Sequence, residues 1–350
     1  MKKISILTHP RSEEAARLAE VVEQFCARAE VAAVRTQRTQ GRDRSLDPDT
    51  DMLIAIGGDG TVLRAQRLAV RQKTPVLGVG AGRLGFLAEV VPPDVEKAMQ
   101  RVLSGDYRVE HRSLITVSHH REGDSLGTYS ALNDVVLARG KSPRSLWIQV
   151  VVDGATLAQF VADGVIAATA TGSTAYSLAA GGPILAPQVP AILLTPIAAH
   201  LSFVQSVIVP DTSHIELSLL RPQDALFTAD GQVDRQVKFG DRLVIKPSRN
   251  TAQFVRLTPS SQFYSELVSR LQYNLRPAPP VQNPSGIAIR GGRGKRCFQS
   301  GKRCFQYGYE NTRNCASANG RTCVQLNSPT SVQRAKAWIR RRWNHPLRDW

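Results

Sequence analysis

The sequence predicts an α/β N-terminal domain with a parallel sheet, then an all-β, sandwich-like C-terminal domain, then a basic tail. Three observations carry this. Strand and helix signals alternate over residues 1–104, and such alternation gives a parallel sheet covered by helices. Over 105–258 short β-rich runs follow one another, divided by Asp153-Gly154, Asp163-Gly164, Asp230-Gly231 and Gly240-Asp241 turns. At Pro277-Ala278-Pro279-Pro280 regular periodicity stops. A last helix within 259–276, opening at Ser260-Ser261-Gln262, is expected to pack back on the first domain. Residues 277–350 are expected to be a low-complexity, disordered tail, with Lys295–Gln299 repeated as Lys302–Gln306.

In order, Ile4–Leu7 reads as a buried strand. Ser12 reads as the N-cap of a helix over Glu13–Ala29, whose apolar residues are Ala16, Leu18, Val21, Val22 and Phe25. Val31–Val34 is a short strand and Arg35–Asp49 a mobile polar loop. Met52–Ile56 and Pro75–Val79 are buried strands joined by a helix over Thr61–Arg71, and Asp94–Leu103 is a helix after Pro92-Pro93. The β-rich runs of the second domain are Ser113–Ser118, Thr128–Leu137, Leu146–Val152, Thr156–Val161 and Val165–Ala168. They continue with Ala191–Leu194, Ser206–Val209, His214–Leu219, Ala225–Thr228, Arg242–Lys246 and Ala252–Leu257.

Charge and cysteine follow the same division. The net charge is +16, but residues 277–350 hold 14 Lys/Arg against 2 Asp/Glu, leaving residues 1–276 with 31 against 27. A nucleic-acid role therefore attaches to the tail and not to the body. The body has one cysteine, Cys26, which suits a reducing, cytoplasmic compartment. Tail cysteines Cys297, Cys304, Cys315 and Cys323 lack the paired spacing of a zinc site. No apolar run approaches a membrane span, and the N-terminal run meets Thr8-His9-Pro10 too early for a secretory segment.

Two stretches carry chemistry. Gly57-Gly58-Asp59-Gly60-Thr61 lies between a strand and a helix. Glycines let phosphate approach the backbone, and a helix start offers free N–H groups. No lysine follows, so this is not the P-loop pattern, and Asp59 suits a proton-handling role or a place near a metal. The plain alternative makes Asp59 a helix N-cap. The second stretch runs from Asp163-Gly164 to Thr171-Gly172-Ser173-Thr174-Ala175-Tyr176-Ser177. It is rich in the hydroxyls and amides that hold ribose and phosphate, or else is a Ser/Thr turn capping a short helix.

With Leu132-Asn133-Asp134, Gly82-Arg83-Leu84-Gly85-Phe86-Leu87 and Ala229-Asp230-Gly231-Gln232, these stretches resemble the NAD kinase family in order and spacing over residues 1–275. The resemblance implies an NAD kinase-like fold. It also implies a cytoplasmic kinase that phosphorylates the adenosine 2′-hydroxyl of NAD to give NADP. The donor is ATP or, in some members, polyphosphate. A divalent metal, expected to be magnesium, is required, and the assembly is a homodimer or homotetramer. No metal-ligating residue is assigned.

By the same resemblance Asp59 is the proton acceptor and Gly60 lies against the dinucleotide. Asn133 and Asp134 grip its adenine and ribose end, and Asp163 lies near its nicotinamide end. Thr174, Ala175, Tyr176, Ser177, Leu178 and Ala179 line the pocket, and Gln232 is a late contact. Gly57, Gly58, Thr61, Arg64 and Arg144 are expected at the donor phosphates. The chain departs from the family at Asp134 in place of Glu, Gly80 in place of Asn and Ala170 in place of Pro. Val161 and Gln205-Ser206 also depart, and His200 reads as structural. The competing readings are a lipid or sugar kinase sharing the acid loop, and a non-catalytic dinucleotide-binding protein.

Overall fold

The computed structural model describes residues 1–36, 46–82, 85–199 and 205–271 in full, and the backbone of 38–39, 42–43 and 272–275. Residues 1–277 form one compact unit. Of residues 278–350, a separate unit, two four-residue strands are described. Cys297–Ser300 and Arg303–Gln306 pair antiparallel, so the two copies of the repeat face each other. The remainder of the tail, and its expected disorder, lie outside the described residues. So do Arg83, Leu84, His200 and residues 37, 40, 41, 44 and 45 of the expected 35–49 loop.

The N-terminal half is a parallel sheet in the order Ala32–Arg35, Lys3–Thr8, Met52–Gly57 and Val76–Gly80. Met52–Gly57 is buried along its whole length, as a central strand covered on both faces must be. The helix Glu13–Arg28 starts where Ser12 accepts the Ala15 N–H, with Glu13 and Glu14 complementing the helix dipole. It buries Ala15, Leu18, Ala19, Val22 and Cys26 on one stripe against this sheet. The helix Asp59–Ala69 covers the opposite face with Val62, Ala65 and Ala69.

The β-domain is a sandwich. One layer is a six-stranded antiparallel sheet in the order Val207–Pro210, Ala191–Ile197, Gly164–Thr169, Asp134–Arg139, Ala225–Ala229 and Val233–Val237. The other belongs to the same ten-stranded sheet as the parallel strands. Phe227, Leu137, Ile148, Leu217 and Ile245 fill the space between the layers.

The two halves join through a strand that the sequence divides. Arg242–Lys246 and Ala252–Leu257 are expected as separate strands, yet Arg242–Arg256 is one strand with a register shift between Pro247 and Thr251. On one side it pairs throughout with Arg108–Arg121. On the other it pairs with Ile215–Leu219 and then, at Phe254, with Val76 of the parallel sheet. The sheet thus runs through both halves without a break. A strand at Val233–Val237 has no expectation because Asp234, Arg235 and Gln236 are polar, and all three are exposed on a sheet edge.

Thr128–Leu137, expected as one strand, is two. Asp124–Ala131 belongs to the large sheet and Asp134–Arg139 to the small one. The break has a local cause. The Asp230 carboxylate accepts the N–H groups of Leu132 (2.8 Å), Asn133 (2.7 Å) and Asp134 (3.2 Å), which takes three successive amides out of ladder pairing.

Candidate active site

The acid loop closes the Met52–Gly57 strand. Its helix begins at Asp59, two residues before the expected Thr61, and Gly58 is the N-cap. Asp59 is therefore not a cap: it lies in the first turn, and its carboxylate points across to the neighbouring loop. There Oδ2 accepts the Phe86 N–H at 2.9 Å and Oδ1 the Leu87 N–H at 3.0 Å. Adjacent parallel strands place the two loops together, with Gly57 opposite Gly80. The approach is close enough to require glycine at 85, where a Cβ would stand 2.1 Å from Asp59 Oδ1. At Gly57 a Cβ would stand 2.4 Å from Thr61 Oγ1. By contrast, a Cβ at Gly58 or Gly60 would meet nothing within 4 Å. Those two positions leave open space over the free N–H groups of a helix start, which suits an incoming phosphate.

Hydrogen bonds chain this loop to the other sequence-predicted stretches. Gln232 Nε2 donates to the Gly60 carbonyl (3.5 Å), and its Oε1 accepts from Arg67 Nη2 (2.6 Å). Two residues earlier, Asp230 holds the Leu132–Asp134 corner as described. Asp230 and Gly231 carry φ of 52° and 59°, the left-handed pair a tight turn demands. The corner in turn supports the hydroxyl-rich turn. Thr169 Oγ1 donates to the Leu132 carbonyl at 2.5 Å, and the Thr169 N–H donates to the Asn133 carbonyl at 2.8 Å. A Cβ at Gly172 would fall 1.9 Å from the Asn133 carbonyl oxygen, so only glycine permits this contact. Asp59, Gly60, Gln232, Asn133, Asp134 and the 171–174 turn form one constellation drawn from positions far apart in the chain.

Burial defines the electrostatics. Asp134 is almost fully buried, and burial together with the nearby Asp230 charge pushes its carboxyl up to about 7. Burial also raises Asp230, but its three backbone donors oppose that and favour its ionised form. Asn133 Oδ1 is buried with no hydrogen-bond partner among the described residues. An orphaned acceptor of that kind suits a ligand N–H donor.

Other expected residues fall differently. Tyr176 is exposed and Thr174 and Ala175 half-exposed, so their surfaces are available to a ligand. The Ser177 hydroxyl is buried on Thr195 Oγ1 at 2.9 Å, and Leu178 and Ala179 continue the same short helix. Arg64 Nη2 donates to the Thr8 carbonyl at the end of the first strand. Asp163 accepts from Ser145 Oγ and pairs with Arg139, at the far end of Gly164–Thr169 from the hydroxyl turn. That separation is roughly 20 Å of strand. Exposed Arg144 lies in the adjoining loop. Among the described residues the side-chain partners of Asp163 are Ser145 and Arg139.

Two arginines that carry no sequence expectation also reach the site. Arg256 pairs with Glu89 (3.0 Å) and Glu110 (2.7 Å), and Arg270 donates to the Gly85 carbonyl (2.9 Å) and to Glu266 (3.1 Å). With Arg112 they line a cleft between Phe86-Leu87, Thr171, Thr174 and the last helix, Phe263–Leu275. That helix therefore does pack back on the second glycine loop. No motif marks these arginines, because the partners that bring them to the site, Gly85 for Arg270 and Glu89 and Glu110 for Arg256, are remote in sequence.

A carboxylate beside an open helix start, facing a hydroxyl-rich turn and an amide–acid pair, defines a nucleotide-binding phosphoryl-transfer protein. Residues 4–107 match the ATP-NAD kinase N-terminal domain and residues 132–257 the ATP-NAD kinase C-terminal domain. An NAD kinase from Chloroflexus aurantiacus is 38% identical over 273 residues, covering 78% of this chain and 99% of that protein. The fold is similar to yeast NADH kinase complexed with NADH, with TM-score 0.68, 28% identity and coverage of 79% of this chain and 89% of that one. It is also similar to an Archaeoglobus fulgidus NAD kinase in complex with ATP, with TM-score 0.62, 25% identity and coverage of 77% and 99%. The chain belongs to the NAD kinase family, and it is a kinase.

Proposed function

We propose that the cleft between the two halves phosphorylates the adenosine 2′-hydroxyl of NAD, with ATP as donor, to give NADP and ADP. The observation that carries this is the Asp59 carboxylate, fixed by two backbone N–H groups beside the open helix start and tied through Gln232 and Asp230 to Asn133-Asp134. The family match spans both halves, including the Asn133-Asp134 pair, for which a lipid or sugar kinase has no use; membership replaces that reading.

Each group has a role. Asn133 Oδ1 takes the adenine amino group, and Asp134 accepts a ribose hydroxyl. Tyr176 offers a ring face, with Thr174 and Ala175 beside it. Phosphate settles in the space above Gly58 and Gly60, on the N–H groups of the Asp59–Ala69 helix. Asp59 accepts the 2′-hydroxyl proton as that oxygen attacks the γ-phosphorus and the bond to the β-phosphate bridge breaks. Both Asp59 oxygens already accept one N–H, yet a carboxylate has further acceptor capacity.

The described residues hold no cluster of three or more His, Cys, Asp or Glu side chains. A magnesium ion would be carried by the donor phosphates, and Asp59 is the carboxylate of this site that would help to hold it. Such an ion neutralises charge on the transferred group when bound.

Asp163, about 20 Å of strand from the hydroxyl turn, is assigned with Arg144 to the far end of the bound dinucleotide, and the assembly is a homodimer or homotetramer, as the family resemblance implies. No described helix is long and apolar enough to cross a membrane; with the single body cysteine this supports a cytoplasmic enzyme. The deciding test incubates the full chain with NAD, magnesium and either ATP or polyphosphate, and follows NADP. No NADP from either donor overturns the proposal, and retained NAD binding without turnover would favour a dinucleotide-binding role.

A further inference from the structure

The groups that hold Asp59 are themselves held from the far side of the chain. The N–H that binds Asp59 Oδ2 belongs to the Gly85–Phe86 peptide. The carbonyl of that same peptide accepts Arg270 Nη1 at 2.9 Å. Next along, the Leu87 N–H binds Asp59 Oδ1, and the Leu87 carbonyl lies 3.5 Å from Arg256 Nη1. Arg270 is buried, with 7% exposure, and is set by Glu266 one helical turn earlier. Burial lowers its proton affinity, while the charges of Glu266, Glu89 and Asp59 raise it.

We propose that Arg270 is a positioning residue for phosphoryl transfer, acting on Asp59 through the Gly85–Phe86 peptide. The inference rests on Asp59 being the proton acceptor. A cation on a peptide carbonyl polarises the attached N–H and strengthens its hydrogen bond. It also fixes the peptide plane, which sets the direction of a carboxylate whose hydrogen bonds among the described residues are to backbone N–H groups. Because Arg270 sits on the final helix, docking of that helix completes the acid loop. Arg270 does not touch the adenine and ribose contacts at Asn133 and Asp134, so the effect falls on turnover and not on substrate affinity.

The test compares Arg270→Met, which keeps the buried stem but loses the donor, with Arg270→Lys, which keeps a cationic donor. Arg270→Met should lower kcat by roughly 10–100-fold with KM for NAD and ATP within about threefold, as misplacement of a reacting group does. Arg270→Lys should recover most of that loss. In an Asp59→Asn background, Arg270→Met should cost no further turnover, since two groups acting as one unit are not additive. Unchanged kcat, an effect on KM alone, equal loss in the Lys variant, or additive losses would overturn the proposal.

Amide hydrogen exchange at Phe86 gives a readout independent of catalysis. It should accelerate in Arg270→Met and stay near wild type in Arg270→Lys, and unchanged exchange in the Met variant counts against the relay. If Asp59→Asn alone keeps full turnover, the proton-acceptor role falls. The amide exchange then still reports whether Arg270 holds the loop.

Discussion

Asp59 shows how little of a functional residue lies in its own identity. Its environment is two amides, an absent Cβ at Gly85 and an open face over Gly58 and Gly60. Replacing it by Asn keeps the shape and removes the base. Turnover should fall about 10²–10⁴-fold, the range of general-base removal, while NAD affinity measured by calorimetry stays within about threefold. Gly85→Ala should be nearly as damaging, because its Cβ would lie 2.1 Å from Asp59 Oδ1.

Asp134 is the residue where pH enters. Its carboxyl is raised to about 7 from 3.8, so the folded state binds a proton that the unfolded chain releases. Stability from this group is complete below about pH 4 and is lost as pH rises through 7. Ligand binding runs the other way, since the ionised form is the better acceptor for a ribose hydroxyl. The KM for NAD should fall between pH 6 and pH 8, and Asp134→Asn should flatten both profiles. A stability curve still falling through pH 7 in the Asn variant would assign the titration elsewhere.

Among the elements, the Leu132–Asp134 corner carries the most function for the fewest residues. It switches the chain from one sheet to the other and holds the backbone of Asn133 and Asp134 on the Asp230 carboxylate. One carboxylate makes the corner. Asp230→Ala should therefore destabilise the fold by roughly 2–4 kcal/mol, the loss of several charge-assisted hydrogen bonds, and should weaken NAD binding in parallel. Chemical denaturation and NAD titration on the same protein check both. Only the two polar residues Asn133-Asp134 interrupt the β-rich run 128–137, too short a signal for periodicity to read as a change of sheet. The partner that causes it lies about a hundred residues later. The Glu13–Arg28 helix is the opposite case: its cap, its acidic first turn and its apolar stripe are all local, and all are legible in the sequence.

At the level of the whole chain, residues 1–277 share one sheet through the Arg242–Arg256 strand, with Phe254 fully buried at the junction between the guanidinium groups of Arg112 and Arg256. Phe254→Ala should cost about 3–5 kcal/mol. Because the sheet is continuous, thermal unfolding followed by circular dichroism and by the fluorescence of Trp147, in a variant with Trp338, Trp343 and Trp350 replaced by Phe, should move together. Two separated transitions would show that the halves unfold independently. The strands and helices of the parallel half, the two glycine loops, the Asn133-Asp134 pair and the hydroxyl turn were all readable as sequence, because each depends on neighbours within a few positions. The sheet switch at Leu132-Asn133, the continuity of residues 242–256, the placing of Asp163 at the far end of its strand and the arginines behind Gly85 and Leu87 were not. Those depend on partners brought from elsewhere in the chain, and a backbone carbonyl or amide that receives them leaves no mark in the residue types.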